Sequence, residues 1–107
     1  MTESSMPEEK PGRLVQWRLE RVHKCWVALA REAIKNPERK ISMADYRRIM
    51  TLSLQFPATR TFNSYENSLL DSQKIEFGSD LNPVAFRFEE YVRILQMPYE
   101  IAVEASG

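Results

Sequence analysis

RLVQWRLERVHKCWVALAREAIK, residues 13–35, is the stretch from which the fold is read. Within it Val15, Leu19, Val22, Trp26, Leu29 and Ala33 follow one another at spacings of four, three, four, three and four. At about 100° per residue these side chains fall in a narrow arc of one helix face, a seam built to pack. Arg21, Lys24, Ala28, Arg31 and Lys35 repeat the spacing on roughly the opposite side. The segment therefore reads as one amphipathic helix with a packing face and a basic face. Trp17 falls on the basic side one turn before Arg21, so its ring is expected exposed among cations, whereas Trp26 lies in the seam.

On the N-terminal side, MTESSMPEEKPG (residues 1–12) offers nothing larger than Met for a core and reads as a disordered leader or linker. Residues 13–107 are expected to form a single domain. On the C-terminal side Asn36-Pro37 stops the helix, because the residue before proline avoids the α region and proline cannot continue the hydrogen-bond ladder. After the charged turn Glu38-Arg39-Lys40, Ser42 with Asp45 three residues on resembles a capping box. A second helix is expected from Met43 to Gln55, with Met43, Tyr46, Met50 and Leu54 inward and Arg47 and Arg48 outward. Asn63 offers a cap for a third helix ending before Gly78, with Tyr65 and Leu69 inward; Ile75-Glu76-Phe77 suits a short extended piece equally well.

Asn82-Pro83 then reads as a cap followed by proline at the first helical position. Val84, Phe88, Tyr91 or Val92, and Leu95 continue at helical spacing to Met97, which predicts a fourth helix. Tyr99 to Ala105 either adds one more amphipathic turn or frays. The expected fold is all-α, a small antiparallel bundle of about four helices.

A chain of 107 residues with 43% hydrophobic and 28% charged residues suits one small domain. It contains no apolar run of about 18 residues, and the expected location is cytoplasmic, away from membranes. The zero net charge is unevenly distributed: residues 13–50 hold ten Lys/Arg against four Asp/Glu, and residues 51–107 hold four against eight. A local positive field of this kind can hold a polyanion, an acidic partner, or the acidic half of a neighbouring copy.

Little in the chain suits catalysis. His23 and Cys25, the one histidine and one cysteine, lie two residues apart and so point about 200° from each other on a helix. They form neither a catalytic pair nor, alone, a four-ligand zinc site. Glu66, Asp71, Glu89 and Glu90 lack metal-site spacing with a histidine, and the isolated glycines build no phosphate loop. The sequence thus predicts a non-enzyme with no metal and no cofactor.

The basic stripe has three readings. It is a solvated helix face; or a track for nucleic-acid backbone; or, with Trp17, a protein-binding hot spot, to which the acidic C-terminal half suggests head-to-tail self-association. From Arg21 to Lys35 the stripe runs about 20 Å at 1.5 Å per residue, enough to follow several phosphates. Arg39, Lys40, Arg47 and Arg48 extend it if the second helix folds back alongside, and Trp17 offers a stacking face. A sequence-reading helix-turn-helix fits less well, because the first connection is long and charged.

A helical unit of about a hundred residues with a basic helix pair, no catalytic group and a linker-like start resembles the small subunit of type I CRISPR surveillance complexes. The resemblance is one of architecture over residues 13–98. It implies a DNA-binding, antiviral-defence role in which Arg21, Lys24, Arg31, Lys35, Arg47 and Arg48 touch phosphates beside partner protein subunits. The expected function is a non-catalytic subunit of a nucleoprotein complex. The alternative is a helical adaptor or self-assembling protein that uses Trp17 and the charge polarity.

Overall fold

In a computed structural model, residues 13–106 are described. The leader expected at residues 1–12 lies outside them. The chain runs α1 (Arg13–Ala33), β1 (Lys40–Ser42), α2 (Met43–Ser53), α3 (Thr59–Asp71), β2 (Ile75–Asn82), β3 (Arg87–Ile94) and α4 (Tyr99–Ser106). The strands form one antiparallel sheet in the order β1-β3-β2. The all-α bundle is thus corrected to a mixed fold, a helical layer against a three-stranded sheet.

The error arose in residues 82–97. Asn82-Pro83 is a capping signal, but the cap closes a hairpin: Asn82 Oδ1 accepts the amides of Val84 (3.0 Å) and Ala85 (3.2 Å). That is the same side-chain chemistry a helix N-terminus uses. Phe88, Tyr91, Val92 and Leu95 fit a helical spacing, yet β3 is read at period two, with Phe88, Val92 and Ile94 opposite Leu81, Phe77 and Ile75. Aromatic and β-branched residues suit a pleated surface, and the partner strand supplied by Ile75-Glu76-Phe77 settles the competition in favour of sheet.

The core lies where α1, α2 and α3 cover the lower half of the sheet. Cys25, Leu29, Ala30 and Ala33 of α1 meet Tyr46, Ile49 and Met50 of α2, Tyr65 and Leu69 of α3, and Ile41, Ile75, Val92 and Ile94 of the sheet. Ile101 anchors α4 to this cluster. The seam expected along α1 holds from Val22 onward. Val15 and Leu19 are about half exposed, because the first turns of α1 run past the body, and Cys25 is fully buried. Ser42 caps α2 as read, its Oγ accepting the Asp45 amide at 3.1 Å. Asn63, expected as the α3 cap, instead lies inside α3, which starts at Thr59 after Ala58 with no side-chain cap bond.

The other sheet face carries a polar ladder. Lys40 Nζ lies 2.7 Å from Asp80 and 2.8 Å from Glu38, and Arg93 pairs with Glu76 at 2.9 Å. The Tyr91 ring sits between them, with Lys40 Nζ 4.6 Å and the Arg93 guanidinium 5.4 Å from its centre. It lies across Gly78, where an added Cβ would come within 2.5 Å of the phenol.

Candidate binding surfaces

Several cations of the predicted basic track are engaged by carboxylates. Arg31 is bound to Glu104 (2.8 Å), Lys35 to Glu32 (3.1 Å), Lys40 to Asp80 and Glu38, and Arg48 to Asp45 (3.2 Å). Arg39 adopts a left-handed backbone (φ 61°) and donates to the Asn36 carbonyl. Arg47 is exposed beside a groove between α2 and α3 that Phe62 and Glu66 also line. The acidic C-terminal half, expected to attract a neighbouring copy, is used largely within the chain. Glu100 sits 2.7 Å from His23 Nε2, and Glu104 holds Arg31. Together with Lys40–Asp80, these contacts join the basic and acidic halves within the chain.

Three predicted residues do come together. The Arg21 guanidinium lies 4.5 Å from the Trp17 ring centre and donates to the Leu54 carbonyl at 2.8 Å. With Lys24, Ser53 and Gln55 these two line a small cavity of about 190 Å³. Trp17 is 51% exposed, as expected. Sequence reasoning missed Arg18, which stacks on the inward-facing Tyr65 at 4.4 Å and donates to Ser64 and Ser68. Lys24 is exposed and makes no ion pair among the described residues, which leaves its ammonium available to a ligand at this corner.

Burial pushes the Cys25 thiol up to about 11 despite Arg21 and Lys24 nearby, which keeps it protonated at neutral pH. Among the described residues no three His, Cys, Asp or Glu side chains gather as metal ligands, and no helix is long and apolar enough to cross a membrane.

The surface that sequence reasoning missed is the hairpin. β1 pairs only with Tyr91–Arg93, so the upper parts of β2 and β3 stand as a two-stranded arm. Four large apolar side chains of the arm stand in water beside its charged ones: Leu81 is 57% exposed, Phe88 69%, Phe86 89% and Val84 91%. Phe86 closes the turn with φ 53°, a left-handed conformation that disfavours a bulky residue. The signals were present as Asn82-Pro83 and the alternation after Arg87, but they were absorbed into a helical reading.

The short α4 is held to α1 by Ile101 and by the carboxylates Glu100 and Glu104. The His23 hydrogen bond, followed by the local backbone amide, holds Glu100 below the ordinary carboxylate range; Arg31 does the same for Glu104. A depressed folded pKa means the contribution is complete above the ordinary carboxylate range and is lost as pH falls through the folded values. Protection of the α4 amides, taken relative to the intrinsic exchange rate at each pH, should therefore fall below the ordinary carboxylate range before that of the core does, and Glu104→Gln should lower α4 protection at neutral pH toward the acid value. Uniform exchange across α4 and the core at every pH would contradict this.

Compared with protein-family models, with curated proteins and with solved structures, the chain gives no match.

Proposed function

We propose that this chain is a non-catalytic interaction subunit that binds a protein partner through the β2–β3 arm. The observation that carries the reading is Phe86, a large aromatic that stands in water at the tip of the arm, outside the core, on a left-handed backbone. A left-handed residue costs an L side chain about 1 kcal/mol or more, and glycine would relieve it. With Leu81, Val84 and Phe88 it makes a cluster of the size and chemistry that mark protein contacts. Phe86→Gly should therefore raise the melting temperature by a few degrees while weakening partner capture, with the circular dichroism spectrum unchanged. Chemical cross-linking in the cells that make the protein, comparing wild type with Phe86→Gly, reads the second effect; an identical set of cross-linked proteins would sink the proposal.

A second reading is nucleic-acid backbone binding at the corner formed by Trp17, Arg21 and Lys24, favoured by their convergence on one cavity. The resemblance to CRISPR small subunits rested on an all-helical architecture, and the sheet withdraws that support. Two cations predict a shallow salt dependence, a log–log slope of about −2 on duplex DNA, where the six phosphate contacts implied earlier predict about −5. Lys24→Glu should weaken all sequences alike. No DNA or RNA binding at low salt would end this reading.

A further inference from the structure

We propose that the partner of the arm is a second copy of this chain, joined β2 edge to β2 edge in an antiparallel register centred on Ser79. The proposal rests on the arm being a docking element. β3 is central in the sheet, so the outer edge of β2 from Ile75 to Asn82 has no strand beside it among the described residues. IEFGSDLN carries no proline or lysine, the usual guards of an exposed edge.

Two-fold symmetry and a continuous apolar face leave few registers, since partners must share the same face. A centre at Gly78 sets Glu76 against Asp80 twice, and a centre at Asp80 sets the two Asp80 carboxylates face to face. A centre at Phe77 pairs only Ile75 to Ser79. Centring on Ser79 pairs Glu76 through Asn82 without opposing like charges: Phe77 meets Leu81 twice, Gly78 meets Asp80, and Glu76 meets Asn82. The diagonal carboxylates are already neutralised within each copy, Glu76 by Arg93 and Asp80 by Lys40.

This register also covers the apolar arm. Leu81 lies opposite Phe88 and Phe77 opposite Val92 within one chain. Setting Leu81 against the second copy's Phe77 therefore builds one apolar row across four strands. Asn82 opposite Glu76 carries Val84 and Phe86 past Ile75 of the second copy. There a groove of about 550 Å³ is lined by Leu70, Gln73, Ile75, Phe77 and Leu95. The tip that has no use in one chain gains a seat in the other.

The test is a disulfide at the symmetry axis in the full chain. Directly opposed Cα atoms lie about 4.5–5.5 Å apart, within the span a disulfide bridges, so Ser79→Cys should cross-link on mild oxidation while buried Cys25 stays silent. Glu76→Cys is the control, because its two copies would sit about 20 Å apart along the ladder. We expect a covalent dimer from the first and monomer from the second. In sedimentation equilibrium, wild type should dimerise with concentration, and Leu81→Asp should raise the dimer Kd by on the order of tenfold or more with an unchanged circular dichroism spectrum. A chain that stays monomeric while its arm cross-links other proteins overturns the second copy and leaves the interaction reading standing. A monomer with no arm-dependent partner overturns both. A dimer that fails to cross-link through Ser79→Cys overturns the register.

Discussion

Tyr46→Ala should remove about 3–5 kcal/mol of stability, the range for deleting a buried aromatic side chain. A domain of this size has only about 5–15 kcal/mol in total, so the midpoint of urea unfolding should drop steeply and the melting temperature by roughly 15 °C or more. The expectation follows from where Tyr46 sits. Its ring is fully buried and meets Phe62 of α3 and Phe77 of β2 edge-on, at 6.1 and 5.8 Å between ring centres. Its hydroxyl donates to Glu66 Oε1 at 2.8 Å. One side chain of α2 thus ties α3 to the foot of the arm. Burial first, and the Glu66 carboxylate second, push the phenol upward, so it stays a neutral donor across the accessible pH range. Tyr46→Phe separates the two roles: it keeps the packing and should cost only about 1 kcal/mol for the lost hydrogen bond. A Tyr46→Ala loss no larger than that of Tyr46→Phe would refute the packing account.

Gly78→Val should destabilise in the native background and stabilise once Tyr91 is shortened. A β-branched residue is intrinsically better than glycine in a strand, by up to about 1 kcal/mol. Here the new Cβ would lie 2.5 Å from the Tyr91 Cζ and hydroxyl, so the ring must swing away and abandon Lys40 and Arg93. The contact loss should outweigh the propensity gain, leaving Gly78→Val worse by roughly 1–2 kcal/mol. In a Tyr91→Ala background only the gain remains and the sign reverses. A double-mutant cycle by denaturant unfolding measures this, with an expected coupling of about 2 kcal/mol; additive effects would show that the ring does not depend on the glycine.

The sequence was most legible where a signal is local. Ser42 predicts the start of α2 because its Oγ and the Asp45 amide are neighbours in the chain. Asn36-Pro37 likewise marks the end of α1 to within a turn. It was misleading where two structures share one local chemistry. Asn82 with Pro83 serves a helix start and a hairpin tip alike, and the deciding fact is Ile75–Asn82 on the other side of the turn, a nonlocal pairing. The partners of the basic face were hidden for a related reason. Spacing along α1 shows which residues point outward, but it does not show that Glu104, far along the chain, comes back to meet Arg31. Trp17, Arg21 and Lys24 could be grouped because one helix holds all three.

The two tryptophans give the fold separate optical reporters. The Trp26 indole donates to the Gln96 carbonyl at 2.9 Å and lies under Lys74 Nζ at 4.7 Å, so its surroundings are assembled from three distant parts of the chain. Trp17 meets mainly its own helix neighbour Arg21. A Trp17→Phe protein should therefore carry an emission maximum that shifts with cooperative unfolding, and a Trp26→Phe protein one that stays red-shifted and responds to what binds at the α1 corner. Fluorescence from the two single-tryptophan proteins can thus distinguish loss of the fold from occupation of its surface.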